Sequence, residues 1–224
     1  MAASTTAAPE RRPPRGGARI LRFSGGERLF HWSFALPFLL LLVSGVILAL
    51  PNTETLLARR ELIRAIHLYA AVALVLLPAA ALLTDIRGIA RDLHEIDYWD
   101  RLDLRWLRLA TIPSFLRKAP LPPAGRFNAG QKLNAVLAAA GITGLVITGS
   151  LMWKAELFPI WSGEVATDLH DLLTLLMLPL VLGHVFLATL YPSTRASMMG
   201  MVTGRVDAIW HRAHHGREAV EDAG

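Results

Sequence analysis

Four of the eight histidines, His31, His67, His170 and His184, stand inside long apolar runs, where a titratable group needs a reason. The stretch "LFHWSFALPFLLLLVSGVILAL", residues 29–50, carries no acid or base other than His31. Within a membrane span an ionisable side chain is costly, and it faces a partner, a cavity or a cofactor. Two neutral imidazoles reaching one level from different helices can take both axial positions of a haem iron. A zinc or di-iron centre would want three or four ligands on one point, with carboxylates or thiolates among them. The chain has no cysteine, which also excludes an iron–sulfur cluster of its own, and the one acid beside a span histidine is Asp171. Two readings without haem stand beside this one. The histidines could be interfacial or hydrogen-bonded structural groups, or they could relay protons, which would call for Asp, Glu or Lys in mid-span. None occurs there.

A second constellation is "GRFNAGQKLN", residues 125–134, just before the third apolar run. Asn128 and Gln131 offer neutral amide donors and acceptors and Gly130 lets a ligand come close, which suits a quinone carbonyl. The same residues read equally well as a helix start, with Asn128 as N-cap and Gln131 closing a capping box. Sequence pattern leaves both readings open.

The elements that must position these groups are four spans of about 20 residues, the length that a hydrocarbon core demands. They fall at about 29–50, 62–83, 132–153 and 169–191, and predict an all-α membrane protein, a four-transmembrane-helix bundle able to bind two b haems. Pro78 predicts a mild kink in the second. Nineteen of the 23 Lys and Arg residues flank one side of these spans, in the N-terminal stretch, the long second connection and the tail. The basic balance is thus a topology signal rather than a nucleic-acid signal, and both termini are expected in the cytoplasm. Residues 1–18 are expected to form a disordered cytoplasmic arm, 19–216 the four-helix domain and 217–224 a tail. The 84–131 connection reads as amphipathic pieces lying on the cytoplasmic face or meeting a partner subunit. No internal repeat is seen.

With this topology His31 lies near the cytoplasmic surface and His67 near the outer one. His170 shares the outer level. Fourteen residues later, about 21 Å deeper and within about 40° of the same direction, comes His184. The four sort by depth into His31 with His184 and His67 with His170. Small residues in the third span, among them Gly141, Gly144 and Gly149, would let helices or a flat cofactor approach. Gly45 could pass a haem edge or pack a helix. His94, His211, His214 and His215 carry no functional reading; tail histidines are most often solvated, though the echo of "W…HH" could concern folding or partner contact.

Together "GERLFHWSFA", "RAIHLYA", "RFNAGQKLN", the histidines fourteen apart and "GRVDAIWHRAHH" resemble the cytochrome b556 (gamma) subunits of membrane-bound formate dehydrogenase, over about residues 19–216. Related di-haem cytochromes b of nickel–iron hydrogenases share the first-span and haem-ligand logic. The resemblance implies an inner haem b on His31 and His184 and an outer one on His67 and His170. It implies a menaquinone or ubiquinone site at Asn128, Gly130, Gln131 and His184. It also implies two partners in a bacterial inner membrane: an iron–sulfur beta subunit, and a molybdenum or tungsten alpha subunit where formate is oxidised. Two other readings stay open: a stand-alone di-haem oxidoreductase exchanging electrons between quinone and a small oxidant such as superoxide, and a haem-free scaffold or transporter.

Overall fold

A computed structural model describes residues 17–50, 60–113, 115–157 and 163–221. Most of the expected 1–18 arm therefore lies outside the described residues. Four long helices carry the apolar runs: α1 (Gly25–Ala49), α2 (Arg60–Leu82), α5 (Ala129–Trp153) and α6 (Glu164–Thr189). Two amphipathic helices, α3 (Ile86–Asp97) and α4 (Arg101–Ala110), fill the second connection. The chain closes with α7 (Ser197–Thr203), α8 (Ala208–His214) and α9 (Gly216–Glu221).

Both α1 and α5 start three or four residues before the apolar run that marks them, because a polar cap begins each. Ser24 accepts from the Glu27 amide at 3.1 Å, and the Glu27 carboxylate accepts from the Ser24 amide at 2.8 Å. Such a box satisfies two of the N–H groups that a helix start leaves without partners. Apolar counting misses that polar first turn. Pro37, Pro78 and Pro179 all lie inside continuous helices. Hydroxyls such as Thr143 and Ser150 donate to the carbonyl four residues back, so their polarity is met inside the helix.

This is a multi-pass membrane protein. Its long helices present apolar side chains outward, and Leu175, Leu176 and Leu182 on α6 are 58–65% exposed, a surface that only a hydrocarbon solvent suits. Helix α1 packs along α2 and α5 along α6 as two hairpins. They meet through side chains, centred on buried Phe38, Leu74 and Met177.

Apart from the 3-10 turn Ala155–Leu157, which follows the end of α5, the short elements gather at the end of the bundle where α1 and α5 begin. The all-α bundle carries one short ribbon there: β1 (Arg19–Leu21) pairs antiparallel with β2 (Arg205–Asp207), Ile20 opposite Val206. The turn into β2 is Gly204, whose φ of +80° is left-handed and whose carbonyl accepts from the Arg22 and Phe23 amides at 2.8 and 3.2 Å. A Cβ at Gly204 would stand 2.7 Å from the Phe23 carbonyl oxygen. Gly204→Ala should therefore cost at least about 1–2 kcal/mol, from the left-handed backbone alone. A lowered melting temperature in detergent, with Gly183→Ala as a control where nothing crowds the position, measures it.

An ionic network locks this cap. Arg126, 8% exposed, binds Asp92, donates to Glu27 at 3.0 Å and to Glu218 at 3.2 Å, and so joins α1, α3 and α9 to the start of α5. Burial pushes the Asp92 carboxyl up against the pull of Arg126. Arg22 donates to the Arg126 carbonyl at 2.8 Å and to His211 Nδ1 at 3.0 Å. The tail histidines are not solvated as expected: His211 and His215 are 3% and 2% exposed, with rings stacked 5.5 Å apart. Burial, then Arg22, holds His215 down to about 3, so it stays neutral and its Nδ1–H donates to the Gly125 carbonyl at 2.8 Å.

Candidate functional site

The four span histidines come together in two pairs, from three helices. His31 on α1 and His184 on α6 have ring centres 6.3 Å apart, near the capped end of the bundle. His67 on α2 and His170 on α6 have ring centres 6.4 Å apart, toward the other end. His184 is exposed within the chain itself; the other three are half-buried. Two imidazoles trans on one first-row metal ion, with metal–nitrogen bonds of about 2.0 Å, hold their ring centres roughly 6 Å apart. Both separations match. Among the described residues no cluster of three or more His, Cys, Asp or Glu could hold a metal, so pairwise ligation by imidazole is the metal chemistry that fits.

Each histidine of the second pair has a built surrounding. Ser44 on α1 donates its one hydroxyl proton to the Leu40 carbonyl at 2.7 Å, and Thr148 on α5 donates to the Gly144 carbonyl at 2.8 Å. Their oxygens can then only accept from the imidazole nitrogens 2.9 Å away, His67 Nδ1 and His170 Nδ1. Both rings are therefore the Nδ1–H tautomer, with the Nε2 lone pair free to bind metal. Gly45 and Gly149 follow the two hydroxyl residues, and a Cβ at either would stand 3.3 Å from the imidazole Cε1. The two hairpins thus repeat one local design, a hydroxyl residue and a glycine on the first helix facing a histidine on the second.

The first pair is held differently. Trp32, beside His31, donates its indole N–H to the Met201 carbonyl at 3.0 Å and meets the His31 ring edge-to-face. This ties the start of α1 to α7.

Asn128 and Gln131 form the capping box: Asn128 Oδ1 accepts from the Gln131 amide and Gln131 Oε1 from the Asn128 amide, both at 2.9 Å. The box uses the two side-chain oxygens and leaves the two side-chain NH2 groups outside it. The Trp106 indole packs over Gly130, 3.1 Å from where a Cβ would stand. Helix α4 carries that indole and is bolted to α5 by a buried ion pair, Lys132 to Asp103 at 2.8 Å, with Lys132 also donating to the Tyr98 carbonyl at 2.7 Å. The expectation of amphipathic pieces over 84–131 includes Trp106 but does not foresee this placement. The spacing of Trp106 and Gly130 carries no signal for it.

Residues 22–204 match the family described as prokaryotic cytochrome b561. The chain is 25% identical over 206 residues to the cytochrome b556(Fdn) subunit of the nitrate-inducible formate dehydrogenase of Escherichia coli K12, covering 88% of this chain and 89% of that one. It is also 25% identical to the cytochrome b556(fdo) subunit of a formate dehydrogenase from the same strain, over 88% and 90% of the two chains. A formate dehydrogenase cytochrome b556 subunit of Haemophilus influenzae is similar at 25% identity, over 89% and 82%.

Proposed function

Because the chain belongs to the prokaryotic cytochrome b561 family, we propose that this membrane cytochrome b is the anchor subunit of a formate dehydrogenase complex, passing electrons from an iron–sulfur partner to the quinone pool. The observation that carries the reading is the facing of two imidazole pairs at two depths, with ring centres 6.3 and 6.4 Å apart. His31 and His184 would hold one haem b, His67 and His170 the other. Bound there, each haem supplies a one-electron carrier at its level. The donor is read as formate, oxidised at the molybdenum or tungsten centre of a catalytic partner, because the three relatives are formate dehydrogenase subunits by name.

The orientation follows from charge. In the sequence, nineteen of the 23 basic residues fall in the N-terminal stretch, the second connection and the tail, and by the positive-inside rule the end of the bundle that carries β1, α3 and α4 faces the cytoplasm, the membrane being read as a bacterial inner membrane. His31 and His184 are then the inner pair. Quinone, menaquinone or ubiquinone, binds beside them at Asn128, Gly130, Gln131 and His184, its carbonyl taking hydrogen bonds from the amide NH2 groups that the capping box leaves over. Its reduction takes two electrons and two protons, and protons taken from the cytoplasmic side while electrons arrive from outside would separate charge across the membrane.

The capping and ligand roles of the amides predict different outcomes. In Gln131→Leu, both haems should remain and be reduced by formate through the partner subunits, while reoxidation by a quinone analogue should fall by tenfold or more. If the amides only cap α5, the change costs about 1 kcal/mol of stability and leaves the reoxidation rate per haem as in the wild type. A normal rate in both Gln131→Leu and Asn128→Ala would sink the quinone assignment.

A further inference from the structure

We infer that the Ser44 and Thr148 hydroxyls are positioning residues for the outer haem, lowering its potential below that of the inner haem and so directing electrons inward. The inference rests on the ligand assignment above. Each hydroxyl has its proton committed to a backbone carbonyl at 2.7 or 2.8 Å, and each accepts from a ligand imidazole at 2.9 Å. An imidazole whose Nδ1–H is donated is more electron-rich at Nε2. A richer axial donor stabilises the oxidised iron more than the reduced, and axial ligands and their hydrogen bonds are among the levers that set haem potentials.

The inner pair lacks this device. Among the described residues no hydrogen bond reaches a ring nitrogen of His31 or His184; the contacts of the His31 ring are with the Trp32 indole and the His184 ring. The asymmetry is therefore local and falls on both ligands of one site. Symmetry of construction supports it as well, since the hydroxyl precedes its histidine by 23 residues in one hairpin and by 22 in the other, each followed by a glycine that admits the ring. Chance packing would not place the same pair twice around one site.

The test is a potentiometric titration of the purified full chain with its haems, comparing wild type with Ser44→Ala, Thr148→Val and the double variant. Each single change should raise the outer haem's potential while the inner stays put, shifting the electron's partition toward the outer haem by up to about tenfold, or about 59 mV for a one-electron couple. Thr148→Ser, which keeps the hydroxyl, should titrate as the wild type. Loss of the outer haem from the single variants would mark the hydroxyls as structural supports only and would also overturn the inference. An unmoved outer potential with full haem content, or an equal shift of both haems, overturns the inference. A wild-type chain holding fewer than two haems would instead show that the ligand assignment had failed.

Discussion

Replacing His67 and His170 together with alanine should leave one b haem per chain in place of two, with the bundle still folded. The expectation follows from how the two levels are built. The His67–His170 pair and the His31–His184 pair share only α6, where fourteen residues separate the two ligands, so loss of one pair leaves the other's helices and partners intact. Neither pair has a neighbour that could take over: among the described residues no third His, Cys, Asp or Glu joins either one. An alanine removes the donor nitrogen outright, and the effect on that site is loss rather than weakening. Haem measured against protein in the purified double variant, and in His31→Ala with His184→Ala, should give one in each case. Two haems retained by either variant would show that other side chains ligate the iron.

The second large effect concerns stability. Arg126→Ala should cost about 3–5 kcal/mol, the range found when one partner of a buried ion pair is removed. Glu27, Asp92 and Glu218 converge on this guanidinium, with side chains 4%, 16% and 15% exposed, and all three would lose it at once. Arg126→Lys should restore little, since a single ammonium cannot present the guanidinium's fork to three carboxylates. Arg91 supplies the internal comparison. It binds the same Glu27 oxygen at 2.8 Å, but its side chain is 58% exposed, so Arg91→Ala should cost less than about 1 kcal/mol. Unfolding in detergent, followed by near-ultraviolet dichroism, measures both. Equal losses for Arg91 and Arg126 would mean that burial is not what gives the network its strength.

The four spans and the pairing of their histidines by depth were legible in the sequence because both rest on local rules, an apolar length and a rise per residue. The Asn128 and Gln131 box was legible for the same reason. The cap was not. Arg22 meets His211 and Arg126 meets Glu27 across 189 and 99 residues, and nothing local to either arginine names the partner. Composition suggested solvated tail histidines; buried positions opposite an arginine and a carbonyl decided otherwise. Ser44 and Thr148 left a fainter trace. Each precedes a glycine and stands 22 or 23 residues before a span histidine, a repeat too short to show against a background of apolar residues.

The pairing of β1 with β2 has a consequence for the order of events during synthesis. Residues 19–21 emerge before any of the long helices, and their partners 205–207 emerge only after every described long helix has been made. At about 5–20 residues per second the wait is roughly ten to forty seconds. During it the first hairpin can enter the bilayer and pack, and Glu27 can meet Arg91 and Arg126, but Arg22 still lacks the Gly204 carbonyl and His211. Closure of the ribbon is thus a late step that reports a finished chain. Nascent chains halted before residue 205 should span the membrane and still be cut by protease at residues 19–23, whereas pairing with β2 should slow cleavage there in the longer chain.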